Sequence, residues 1–395
     1  MMSDKNAMFD KSETAFPAKK NCLFLSHCAI SPMQHHAKEA AQGFMDAMAE
    51  GGVSRLPSFF NLLPNFHQKF GQLLKTDATN ISSIHNTAEG MCLIANGYPF
   101  QPGDEVVSYI HEFPSNHYPW RLQEKRGVKL ILLEDSDPLK AFADVGSPRG
   151  WSMEELERKV TAKTRIIALS HVQFTSGYAA DLKQLGKFCK ERNIDLVIDG
   201  AQSVGCLPVY PEEYNVSAVA VSCWKWLMGP FGTGLLYTSA AFRDKIELTM
   251  VGSSSMQQGL EYLDHTWNPH EDGRKFEYST MSWEHLAAMG GLLDSVFLRY
   301  SMDDIFREVL RLQDVFLHYL DPGLFRPLLF PDNNRSGILA ILPKCKPGEL
   351  VERLKKHAIV LTQRSDYIRI APHFYLSDED VKKAAEYLNM EATAK

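Results

Sequence analysis

Between about residues 80 and 240, short apolar runs alternate with helical patterns, and no other property of this 395-residue chain restricts its fold as much. The runs read as strands at Ile81–His85, Glu105–Tyr109, Val128–Leu133, Arg165–Leu169, Asp195–Ile198 and Val216–Val221. Helical spacing lies between them, over Met91–Asn96, Trp151–Val160 and Asp181–Arg192. In the last of these Leu182, Leu185 and Phe188 fall on one face. Such alternation predicts a mainly parallel sheet with helices on both faces. In sheets of that kind the ligand sits at the carboxyl ends of the strands, so the polar segments after each run are where chemistry is expected.

Two of those segments stand out. One run ends in Asp199, followed by Gly200, Ala201 and Gln202; the next ends in Ser222, followed by Lys225 between Trp224 and Trp226. A lysine flanked by tryptophans after an apolar strand is unusual for a surface lysine. An acid and a lysine at neighbouring strand ends can face one ligand from two sides. A pyridoxal phosphate (PLP) site needs that pair: a lysine amine to form the Schiff base, and a carboxylate to stabilise the protonated pyridine nitrogen. Asn86-Thr87-Ala88-Glu89-Gly90 follows another strand and opens a helix, with Thr87 as the expected N-cap. Free amides and the positive dipole end at such a turn suit a phosphate.

The combination of D-x-A-Q (Asp199 to Gln202), S-x-x-K (Ser222 to Lys225) and the following G-P-x-G-x-G resembles the core of the class V aminotransferase family. That family includes cysteine desulfurases, selenocysteine lyases, kynureninases and isopenicillin N epimerase-like proteins. HEFPSNHYPW (His111 to Trp120), SHVQFTSGYAADL (Ser170 to Leu182), FEYSTMSW (Phe276 to Trp283) and YIRIAPHFY (Tyr367 to Tyr375) are similar to further motifs of the family. The resemblance implies PLP fold type I: an α/β large domain with a mainly parallel seven-stranded sheet flanked by helices, plus a smaller α+β C-terminal domain. It implies PLP on Lys225, with Asp199 at the ring nitrogen, Gln202 and Gln173 near the 3-oxygen, Ala201 under the ring and Phe113 over it. Thr87, Ala88, Glu89 and Ser222 are the implied phosphate residues, with Thr280 reaching in from the neighbouring subunit. Arg369 is the implied fork for the substrate carboxylate, and Arg364 is a weaker candidate. His117 stands where relatives often have Val.

The implied protein is a homodimer with active sites at the subunit interface, acting on an amino acid. Aminotransferase-type α-proton chemistry is the leading expectation. A lyase of the kynureninase, selenocysteine/cysteine lyase or desulfurase kind is the alternative, and an epimerase or an inactive binding protein is a minor one. Desulfurases need a cysteine in the loop before the arginine strand, and Thr362 to Asp366 contain none.

Bulk properties agree with a globular enzyme. The chain is 45% hydrophobic and 23% charged, with a formal net charge of −6. No basic patch calls for nucleic acid, and no apolar run reaches the roughly 20 residues of a membrane helix. The seven cysteines are scattered without a CxxC pair and read as reduced thiols in a cytoplasmic protein. No metal site is expected, although His27, His35 and His36 lie close together in sequence. The expected organisation is a flexible lead over 1–20, an N-terminal helical segment over 21–75 that packs with the small domain, a PLP-binding domain over 76–265, and an interface segment with the small domain over 266–395.

Overall fold

The computed structural model describes residues 9–137 and 144–394. Its centre is a seven-stranded sheet made of β1 (Ile81–Ile84), β2 (Glu105–Tyr109), β3 (Lys129–Leu133), β4 (Thr164–Ser170), β5 (Asp195–Asp199), β6 (Ala218–Ser222) and β7 (Gly234–Thr238). The strand order is β1-β7-β6-β5-β4-β2-β3. All neighbours are parallel except β7, which runs against both β1 and β6.

The continuous apolar character of the inner strands follows from burial on both faces. Successive residues feed opposite cores. Ile167 and Leu169 of β4, Leu196 and Ile198 of β5, and Val219 and Val221 of β6 join one cluster. Ile166, Ala168, Val197, Ala218 and Ala220 join the other. With both faces covered by packed side chains, only the strand ends are left to receive a ligand.

A second, four-stranded antiparallel sheet joins Phe325–Pro327, Leu339–Pro343, Thr362–Arg364 and Tyr367–Ile370. Helices Met302–Tyr319, Pro347–Leu354 and Asp378–Thr393 accompany it. The segment expected to be a loop before Arg369 is therefore largely a strand, with Thr362 paired to Arg369. Its polar composition hid the pairing. The N-terminal segment returns to this unit. Leu23–Phe24 forms a short parallel pair with Ile359–Val360.

Residues 1–8 of the expected lead lie outside the described residues. Residues 9–20 are packed instead of loose: Ala15 and Phe16 are buried, Phe16 stacks on Tyr375 at 4.1 Å, and Phe9 meets Phe374 at 5.0 Å. The polar residues around Phe9 and Phe16 masked two aromatic anchors. Behind them, His27 bonds Ala371 O at 2.8 Å and Tyr375 Oη at 2.9 Å, and His373 bonds the Trp226 carbonyl at 2.9 Å. Burial pushes His373 down to about 4, so it is neutral, and the Phe374 amide donates to its other ring nitrogen.

Candidate active site

The carboxyl ends of β1, β2, β4, β5 and β6 open on one edge of the sheet, and most of the expected residues gather there. Asp199 closes β5 and is buried. One carboxylate oxygen accepts the Ala201 amide at 2.9 Å. Burial pushes its carboxyl up, and the nearby Lys225 charge opposes the shift. Lys225, three residues beyond β6, is pushed down by burial, with Asp199 holding it up and Arg369 adding to the fall. A lowered lysine is closer to the neutral amine that a covalent role requires. Its Nζ stands 5.4 Å from the Phe113 ring centroid. That ring is 40% exposed and meets Phe174 edge-on at 5.3 Å.

β1 leads into helix Thr87–Gly97. Its N-cap is Asn86, whose side chain accepts the Glu89 amide at 2.9 Å, and not Thr87 as expected. Both are capping residue types, and spacing alone does not choose between them. Thr87 instead donates its N–H to Ser222 Oγ at 3.0 Å, and the two hydroxyls lie 2.9 Å apart. Gly234 begins β7 beside this turn because a Cβ there would meet Val221 O at 2.4 Å and Asn86 Cα at 3.2 Å. Ala88 is in the first turn. The Glu89 carboxylate is turned away to His85 Nδ1, at 3.0 Å, and to Tyr278 Oη, at 2.9 Å. Thr280, two residues past Tyr278, is exposed.

Gln202 is buried with its amide already committed: Nε2 donates to Cys28 O at 2.9 Å, and Oε1 accepts Trp226 Nε1 at 3.1 Å. One N–H remains for the expected 3-oxygen contact. Ala201 is buried next to Asp199. His117 is half-buried on the motif after β2, its ring edge-on to Tyr118 at 5.5 Å.

Arg369 is 1% exposed. One terminal nitrogen donates to Phe174 O at 2.7 Å and the other to Thr362 Oγ1 at 2.9 Å. Nε has no partner, and no carboxylate pairs with this guanidinium among the described residues. Arg364 is exposed and bonds the neighbouring Gln363 carbonyl.

Three residues at this edge escaped sequence reasoning. Glu112 is a buried carboxylate on the motif after β2, beside Asp199. Cys28 is 2% exposed, its Sγ 3.9 Å from Thr362 Oγ1, and its charge would be felt by both Lys225 and Arg369. Glu277 is buried against His67 and the Ser83 amide, both at 2.6 Å. Glu112 sits inside a quoted motif, but its burial has no sequence signal. Cys28 reaches the site through contacts with residues 202 and 362, which spacing along the chain does not reveal.

These residues fit PLP. Gln173 Oε1, Thr233 Oγ1 and Arg369 Nε are buried without partners among the described residues, which leaves them available to a ligand. A hydroxyl pair at a helix N-terminus suits a phosphate.

The sheet order, the strand-end lysine and the acid at the end of the adjacent strand define fold type I architecture. Residues 27–365 match the family model described as aminotransferase class-V. The chain therefore belongs to the class V aminotransferase family, a family of PLP-dependent enzymes. It is similar to a probable cysteine desulfurase of Pyrococcus abyssi, 30% identical over 187 residues, which are 47% of this chain and 44% of that protein. The match to that relative thus spans less than half of its length. An uncharacterized aminotransferase of Bacillus subtilis, YcbU, is 20% identical over 94% of this chain and 95% of its own. Among solved structures, a lysine-to-alanine mutant of C-DES with glycine covalently linked to its PLP cofactor superposes with a TM-score of 0.86. It is 20% identical and covers 97% of this chain and 100% of its own, a likeness of fold.

Proposed function

We propose that the protein acts on an α-amino acid with PLP held on Lys225, by class V aminotransferase-type chemistry at the α-carbon. The observation that carries this reading is Arg369: a buried guanidinium with no anion against it among the described residues. An unpaired buried charge is costly, and a substrate carboxylate would relieve it with a bidentate pair.

PLP, when bound, supplies an electron sink for the bond broken at the α-carbon. The chain's own residues would do the rest. Lys225 would hold the cofactor and, as a free amine, would carry the α-proton. Asp199 keeps a proton on the ring nitrogen. Phe113 and Ala201 would supply apolar contacts for the ring. Ser222, Thr87 and the first-turn amide of Ala88 hold the phosphate, with Thr280 of a second copy completing the cup in a homodimer. Glu89 contributes through its place in the helix, since its carboxylate is bonded to His85 and Tyr278. Reductive trapping with borohydride and peptide mapping tests the core of the reading. The label should fall on Lys225 and vanish in Lys225→Ala; a label on another lysine removes the assignment.

Carbon–sulfur cleavage is a second reading, favoured by Cys28. The segment 362–366 has no cysteine, but Cys28 from the N-terminal loop lies by Thr362, which also accepts from Arg369. A thiol there could take sulfur from a substrate cysteine, an S–S bond forming as the substrate's C–S bond breaks with its electron pair left on carbon. Incubation with L-cysteine, alkylation and mass spectrometry would reveal a persulfide on Cys28. Keto-acid formation from amino acids without that mark favours the first reading.

A further inference from the structure

Glu112 lies in the interior between β2 and β4, and four donors meet its carboxylate. The Ser170 amide at 2.8 Å and Gln173 Nε2 at 3.0 Å both donate to Oε1. The Ser170 hydroxyl and Asn116 Nδ2, at 3.2 Å, donate to Oε2. Ser170 pairs with Asp199 across the sheet, so this cluster stands at the level of the ring-binding acid. The oxygen of the Gln173 amide is buried and has no partner.

The chemistry of Glu112 decides which way that amide faces. A carboxylate oxygen accepts and cannot donate, so the NH2 of Gln173 must point to it and the carbonyl must point away. Protonation does not undo this. Oε1 faces the backbone N–H of Ser170, which can only donate, whereas the Ser170 hydroxyl at Oε2 can turn round and accept, so a proton on Glu112 would sit on Oε2 and leave Oε1 to receive Gln173.

We propose that Glu112 is a positioning residue that fixes the Gln173 amide so that its carbonyl oxygen, and not its NH2, meets the ring oxygen of the bound cofactor. The inference rests on the PLP reading above. A carbonyl facing the 3-oxygen favours the protonated form of that oxygen, whereas an NH2 would favour the charged form. The other charged or titratable groups that face this region are Asp199 from the end of β5, Lys225 after β6, and Arg369 through the Phe174 carbonyl; buried His171 is held down to about 4.

The test is a pH titration of the visible absorbance of the PLP holoenzyme, without substrate, for the parent, Glu112→Gln, Glu112→Leu and Gln173→Leu. Glu112→Leu frees the amide to rotate and should lower the midpoint by about one pH unit, the size of one hydrogen bond gained by a charged form. Glu112→Gln keeps a carbonyl oxygen for Ser170 and Gln173 and should retain the parent midpoint. Gln173→Leu removes the acceptor and should also lower it. Equal shifts in Glu112→Gln and Glu112→Leu, or a parent midpoint in Glu112→Leu, overturn the proposal. If Glu112→Leu does not fold, a parent midpoint in Gln173→Leu overturns it alone. A parent protein with no cofactor band sinks the PLP reading and this inference together; a normal band with unmoved midpoints sinks only the inference.

Discussion

Arg369 and Glu112 are both buried ionisable groups, and they should respond differently to substitution. Arg369→Lys keeps the charge and loses the planar fork. Removing one partner of a desolvated pair costs about 2–5 kcal/mol. The variant should therefore need at least about tenfold more amino acid for half-saturation, a change of about 1.4 kcal/mol, with PLP content unchanged. A spectral titration with substrate measures it, and parent-like saturation would move the carboxylate site elsewhere, with Arg364 next to test. Burial, opposed by its hydrogen bonds to Ser170 and Gln173, pushes Glu112 up to about 7. Between the ordinary glutamate range, about 4.5, and about 7 the unfolded chain has lost this proton while the native chain retains it. The unfolded state then binds fewer protons, so stability falls as pH rises through that window and levels off above it. The urea midpoint of the parent should drop relative to Glu112→Gln across this interval and run parallel to it above. The same two residues mark what sequence can and cannot reveal. Arg369 was legible because its motif and strand alternation isolate it among apolar neighbours. Glu112 was not, because an acid after a strand looks the same in sequence whether it is solvated or buried.

At the scale of elements, the strand ends were readable and their partners were not. An apolar run that stops at Asp199 or Ser222 marks both the strand and the edge where a ligand belongs. The helix after β1 was expected to be capped by Thr87 and is capped by Asn86, while Thr87 bonds Ser222, 135 residues away. Gln202 likewise found its partners in Cys28 and Trp226, on separate segments. The Asn86 cap satisfies one of the amides that open the phosphate helix. Asn86→Ala should cost about 1 kcal/mol of stability, and it should weaken PLP retention more than amino-acid binding, because it loosens the turn and not the Arg369 end. Thermal unfolding and cofactor release on dilution separate the two. Equal loss at both ends would mean the cap supports the fold generally.

For the whole molecule, the central expectation is assembly. The segment before the Phe276 motif carries exposed Leu260, Tyr262, Leu263 and Trp267, with Leu263 at 96%. Thr280 follows on the same side of the sequence and is exposed. If a second copy covers these residues, each site draws on two chains. Light scattering of the holoprotein should give a dimer, and Trp267→Glu should weaken it together with PLP retention. A fully active monomer contradicts the arrangement.

The bond from His373 to the Trp226 carbonyl has a thermal consequence. It joins the C-terminal sheet to the turn that carries Lys225, while Phe16 and His27 fasten the N-terminal segment to the same place through Tyr375. Neither sheet can then come apart without disturbing the lysine turn. Calorimetry should record one cooperative heat-absorption peak, with cofactor leaving inside it. His373→Leu should uncouple the two units, so that the C-terminal unit melts first and the large sheet follows at its own temperature.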